Sequence, residues 1–362
     1  ITIIFFYTIR NFKQDRLLSI FYALCFSVLA NPSMGTPFPD HYSTFLSLMG
    51  IFLFLNAILE EKKIYWFLIP ICFFFAFFSK QTPSSYILIV LLITTAIYIL
   101  SSKKIYFLKY FVLSSISCLF LLLVFFYFYK IDLSQFIYQY IIFPKTIASE
   151  RLENYQLSYN NIFFQFKFIY LFLIPLVIVT FFKLKNKNTY DSKFLYLIII
   201  ILVSLVLIFH QAITKNFIFI FFLIPILASL TQMFLKNSLK FRKIISIFLI
   251  STTFLLTIKY HLRFNDSRKM LNLERINLEN YVNSEKIHPS LKGLKWLTFE
   301  YNKDPLVEIE LIKDSLEVIE KDKTKKMLLT RYLFFSSVLN ENLNNPSRWP
   351  STQDASNPDK NN

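Results

Sequence analysis

Along the first 260 residues, long apolar runs alternate with short polar turns. The runs fall at 1–9, 17–30, 41–59, 64–78, 84–100, 106–129, 166–182, 194–210, 216–235 and 244–260. Recurrence at this length predicts an all-α polytopic membrane helix bundle of about nine spans plus a remnant at 1–9. Several runs are short for a hydrocarbon core of about 30 Å. Local thinning or burial inside a bundle accommodates a short helix; tilting does not. Ile1 already lies in an apolar run with no basic stretch before it, so the chain reads as an N-terminally truncated fragment.

Beyond Lys259 the pattern changes. Residues 261–290 are mixed and charged, with helical spacing. LKGLKWLTF, at 291–299, reads as a strand. Asp304-Pro305 opens a helix running to about Asp322, with Asp as its cap and Pro in its first turn. Residues 325–334 read as a second strand. The expected organisation is a membrane bundle over 1–260 and a small soluble α/β domain over 261–362, ending in a polar tail.

Composition fits the pattern: 55% of residues are hydrophobic and 17% charged, outside the range of soluble domains. The 44 Phe and 21 Tyr accompany abundant Ile, Lys and Asn and very few Gly, the bias of an AT-rich genome, so aromatics are discounted as functional signals. Cys25, Cys72 and Cys118 all fall inside apolar runs and read as buried small hydrophobes rather than disulfide or cluster ligands.

The net charge of +16 does not point to nucleic acid, because of where it sits. Residues 1–260 carry +15 and residues 261–362 only +1. Within the membrane half, one alternate set of loops holds 16 Lys and Arg. The other set, at 31–40, 79–83, 130–165 and 211–215, holds five. By the positive-inside rule the Lys-rich set is cytoplasmic and the other faces outward. On this reading the chain sits in a bacterial inner membrane with its C-terminal domain in the periplasm. The outer loop 130–165 opens with an amphipathic stretch that reads either as an interfacial helix or as a solvated connector.

Three outward turns carry candidate chemistry. Asp40-His41 ends the turn NPSMGTPFPDH; Asp40 reads as the N-cap of the next helix and also as a site carboxylate, with His41 as ligand or proton donor. Ser79-Lys80-Gln81-Thr82 follows a very aromatic helix. Lys80 there either snorkels to the interface or holds a phosphate. His210-Gln211 and Lys215 offer a hydrogen-bonding pair and a cation, or are ordinary interfacial residues. No HExxH helix, GxSxG elbow or P-loop occurs, and charges inside the spans are nearly absent.

The Asp-His turn before a helix (PFPDHYSTFLSL) and the short span ending in lysine (WFLIPICFFFAFFSKQT) together resemble the GT-C membrane glycosyltransferases. That superfamily includes the protein O-mannosyltransferases and the lipid A aminoarabinose transferases. The resemblance covers about residues 1–260. It implies transfer of a sugar from a polyprenyl-phosphate donor to a lipid, glycan or protein acceptor on the outer face. It casts Asp40 as the second acidic motif of the family, with His41 beside it. It casts Lys80 as the phosphate contact; placement on the same outer face adds Gln81 beside it, and His210, Gln211 and Lys215 as weaker substrate contacts. The first acidic motif has no counterpart here, so the fragment is expected to be inactive alone. A divalent cation, Mg or Mn, held by Asp40 and His41 is the cofactor to test; membrane lipid and the lipid-linked sugar are the expected partners. The alternatives are a transporter or flippase of lipid-linked sugars, and a non-catalytic membrane scaffold.

Overall fold

The computed structural model describes residues 1–153, 158–185, 192–215, 218–234, 242–265, 268, 279–298, 301, 303–328, 332 and 334–343. In chain order its helices are α1 (Thr2–Asn11), α2 (Arg16–Ala30), α3 (Pro39–Glu60), α4 (Lys63–Ser79), α5 (Gln81–Ser102), α6 (Tyr106–Tyr129) and α7 (Leu133–Ile137). Then come α8 (Phe143–Glu153), α9 (Lys167–Lys185), α10 (Ser192–Thr214), α11 (Leu223–Phe234), α12 (Arg242–Asn265), α13 (Pro305–Lys321) and α14 (Phe335–Leu339). The chain divides into two compact units. One comprises residues 1–130 and 154–269, the other 131–153 and 270–362.

The first unit is a helical bundle, but not one of nine spans. Among the described residues, α3, α5, α6, α10 and α12 are long and apolar enough to cross a bilayer. The apolar helices α2, α4, α9 and α11 are shorter. At 1.5 Å per residue, the 17 residues of α4 reach about 25 Å and the 12 of α11 about 18 Å, against a core of about 30 Å. The physical reason at α11 is a break inside its apolar run. Phe219 takes a left-handed φ of 48°, a 3-10 turn covers Ile220–Phe222, and only then does α11 begin. Residues 223–232 of α11 are all buried, so its neighbours enclose it. The opposite case is α6, with only 11% of its apolar window buried and Phe120, Leu121, Tyr127 and Phe128 open. So much contiguous apolar surface needs an apolar solvent, and lipid supplies it.

Helix α3 is the centre of the bundle. Its window is 72% buried, and it packs against α1, α4, α5 and α10. Gly50 lets α4 come close: a Cβ there would lie 2.6 Å from Cε2 of Phe73. Polar contacts gather at the end of the bundle where α1 and α3 finish. Asn11 donates to Asn56 at 2.9 Å and to Glu60, Asn56 donates to Thr8 at 3.0 Å, and Lys104 pairs with Glu61. Helices α3, α5 and α6 stop on left-handed Glu61, Lys103 and Lys130. Glycine usually fills that position, and this chain has only three.

In the second unit, residues 133–153 are helical, with a π turn at Tyr138–Ile142 between α7 and α8. Phe136 and Tyr140 stack there with centroids 5.3 Å apart. The C-terminal part is built on α13, which starts as its sequence indicates: Pro305 is the first residue, and Asp304 caps by accepting from the Leu306 amide at 3.1 Å. Ile309, Ile312 and Leu316 pack with Ile287, Phe335 and Val338. Among the described residues the expected strands are short. Strand β1 (Val282–Asn283) pairs antiparallel with β2 (Lys295–Trp296), in the register Val282↔Trp296. Residues 325–328 hold only a single bridge at Met327. There the Lys326 ammonium turns back to the Ile319 and Asp322 carbonyls and to Glu341, closing the end of α13. Of the charged stretch expected to be helical over 261–290, residues 261–265 are helical, and 266–267 lie outside the described residues. Residues 282–291 form β1 and two short 3-10 turns, and 269–278 lie outside the described residues.

Candidate functional site

Helix α3 begins two residues earlier than a capping Asp40 requires. Pro39 occupies its first position, where a missing N–H costs nothing. Phe38 becomes the cap residue and Asp40 falls in the first turn. The cap reading of Asp40 is therefore replaced by another partner. Both carboxylate oxygens of Asp40 accept from the Lys80 ammonium, at 2.6 and 2.7 Å. The Asp40 side chain is 12% exposed and that of Lys80 30%, so the pair sits in a half-open setting where it is stronger than a surface ion pair.

His41 does the capping. Its Nδ1 accepts from the Phe38 backbone N–H at 3.1 Å, which leaves the ring proton on Nε2. The ring is 2% exposed, flanked by Phe38 and Phe45 at centroid distances of 6.1 and 6.2 Å. Among the described residues Nε2 meets no hydrogen-bond partner, and neither does Oγ1 of the buried Thr44 one turn on. Two buried polar atoms therefore lie unsatisfied in the first turns of α3, beside the ion pair.

Lys80 is held by its backbone as well. It is extended, with φ −165° and ψ 135°, between the last turn of α4 and the start of α5. Its carbonyl accepts from the hydroxyls of Ser43 on α3 and Ser84 on α5, each at 2.9 Å. The Gln81 carbonyl accepts from Ser84 and Ser85, at 2.9 and 2.6 Å. Thr82 is also non-helical, so the regular part of α5 starts at Pro83. These serines are absent from the candidate set read from the sequence. Ser43 stands three residues after Asp40, on the same face of α3, and that spacing is the signal that marks it.

The other candidates lie on or beside α10. His210 and Gln211 are buried, at 3% and 2% exposure, rather than interfacial. Lys215 is exposed, in a left-handed conformation just past the helix. Helix α10 packs against α5, and Phe209 meets Tyr86 of the first turns of α5 at 6.2 Å. The end of α10 and the Lys80 turn thus share one end of the bundle. The turn before α3 is closed from the same end: Arg268, beyond α12, donates to the Pro32 carbonyl at 3.3 Å. Gly35, with φ +76°, sits where any Cβ would meet the Arg268 carbonyl at 2.2 Å.

At Asp40 and His41 the groups that a divalent cation would need are already partly engaged. The carboxylate already holds an ammonium, Nδ1 is engaged with backbone, and Mg²⁺ takes six oxygen ligands. Among the described residues no group of three His, Cys, Asp or Glu side chains converges. What the turn offers is an ammonium with one donor beyond those given to Asp40, a carboxylate beside it and an unpaired ring N–H, at the end of an apolar bundle. Comparison of the chain with protein-family models, curated proteins and solved structures finds no match.

Proposed function

We propose that the Lys80 turn binds the phosphate of a polyprenyl-phosphate sugar, and that the protein is an integral membrane glycosyltransferase of the GT-C type. The observation that carries this reading is the Asp40–Lys80 pair, clamped between the ends of three apolar helices. A polyprenyl chain dissolves in the bilayer beside such helices and presents its phosphate at their ends. Lys80 supplies the cation, and the His41 Nε2–H a second donor.

The pairing also suits an inverting displacement. The acceptor hydroxyl oxygen attacks the anomeric carbon, and its proton goes to the Asp40 carboxylate. The bond from that carbon to the phosphate oxygen breaks, and polyprenyl phosphate leaves with the electron pair. The departing phosphate gains negative charge in this step, while Asp40 becomes neutral. Lys80 then loses its counter-ion at the moment the phosphate needs one. No metal is needed in this scheme. The acceptor is a lipid, glycan or protein on the outer face of the membrane.

Binding and transfer are tested separately. With the protein in nanodiscs, native mass spectrometry should show retained polyprenyl phosphate but not polyprenol, and Lys80→Met should weaken retention at least tenfold. Transfer of a labelled sugar from the polyprenyl-phosphate donor should be lost in Asp40→Asn. Equal retention of phosphate and alcohol, or an unaffected Lys80→Met, would refute the phosphate site.

A further inference from the structure

The C-terminal part of the second unit contains a cavity of about 390 Å³, open on one side. Its floor is formed by Glu308, Ile312 and Phe335, all buried; Tyr301 and Tyr332 stand half-buried on its walls, and Ser315 lies exposed at its rim. This is the size of a small-molecule site. The unusual feature is the carboxylate. Glu308 is 7% exposed, yet its partners are neutral: Oε2 accepts from the Trp296 indole N–H at 2.9 Å and Oε1 from the Tyr332 hydroxyl at 2.7 Å. Among the described residues no Lys or Arg pairs with it.

A carboxylate has about four acceptor sites, and two are used here. A buried negative charge that meets only neutral donors lacks the counter-charge that usually accompanies burial. The walls supply the rest of a recognition surface. Tyr332 and Phe335 stack nearly parallel, 5.9 Å apart and 10° from coplanar, next to Trp296 at 6.3 Å from Tyr332. Aromatic faces attract cations, and the aliphatic lining residues Ile312, Ile319 and Leu328 suit an apolar body.

From this we infer that the cavity is a binding site for a small primary amine with an aromatic or aliphatic body. Its ammonium donates to the remaining acceptor sites of Glu308, and its apolar part lies over Ile312 and Phe335. This site is independent of the Lys80 turn and of the glycosyltransferase reading.

The test uses the full chain in nanodiscs with phenethylamine as probe and 2-phenylethanol as its uncharged counterpart, followed by ligand-observed NMR. Phenethylamine should bind at least tenfold more tightly than the alcohol, and Glu308→Gln should remove that preference. Ser315→Phe closes the rim without touching the carboxylate and should block both ligands; its near-native melting temperature separates blocked binding from misfolding. Absence of phenethylamine binding at millimolar concentration overturns the proposal. So does equal binding of amine and alcohol, or an amine preference that survives Glu308→Gln.

Discussion

Lys80 joins three helices through two kinds of atom. Its ammonium holds the first turn of α3, and its carbonyl takes one hydroxyl from α3 and one from α5. Losing either charged partner leaves the other in a half-open, partly desolvated setting. Each of Lys80→Met and Asp40→Asn should therefore cost about 1–3 kcal/mol, between the surface and buried limits for ion pairs. The double variant should cost less than the sum, because the second change removes the stranded charge. Unfolding in mixed micelles measures all three, and strict additivity would show that the pair is not coupled. The sequence brought Asp40 and Lys80 to one face through loop charges alone, since alternation of spans fixes which turns share an end. It did not reveal that they touch. It also misplaced the cap by two residues, because the preference of Asp for capping competes with that of Pro39 for the first helical position, and Pro39 wins.

At the scale of helices, Gly50 decides how near α4 lies to α3. Phe73 fills the space a side chain would need. Gly50→Leu should push α4 outward, at a cost of about 1–3 kcal/mol for overpacking, and loosen the Lys80 turn at the end of α4. Faster amide hydrogen exchange across residues 76–84 in the variant checks this; exchange unchanged there would show that the bundle absorbs the added volume locally. Helices with chemical punctuation were legible: α13 is announced by Asp304 and Pro305, which set its first turn by local geometry. The interruption before α11 was not, because Phe219 is an apolar residue in a left-handed conformation and leaves no mark in a hydropathy pattern. Of the strand expected at 325–334, the described residues 325–328 hold a single bridge at Met327, while the Lys326 side chain folds back onto three acceptors near the end of α13.

Contacts sort the turns of the bundle into two ends. Asp40, Lys80, Tyr86, Phe209 and Arg268 meet at one; Asn11, Glu60, Glu61 and Lys104 meet at the other. Cysteines placed at exposed Thr36 and Asn265 should thus react from one side of the membrane, and a cysteine at Lys103 from the opposite side. The native Cys25, Cys72 and Cys118 are buried free thiols and give little background. On the proposed orientation, an impermeant maleimide applied to intact cells labels the first two sites only; labelling of Lys103→Cys under the same conditions would reverse it. Charge counting is blind to depth, which is why it suits the ends of the bundle and misjudges how many helices between them are full-length.

Helix α3 carries a carboxylate near each end, and both find lysines that come later in the chain: Asp40 meets Lys80, 40 residues on, and Glu61 meets Lys104, 43 residues on. At a synthesis rate of about 5–20 residues per second, each waits about 2–8 s for its partner. The central helix of the bundle is thus incomplete when it leaves the ribosome. Its lasting position is settled only after α4, α5 and the link to α6 have followed, so the order of synthesis becomes part of how this bundle is assembled.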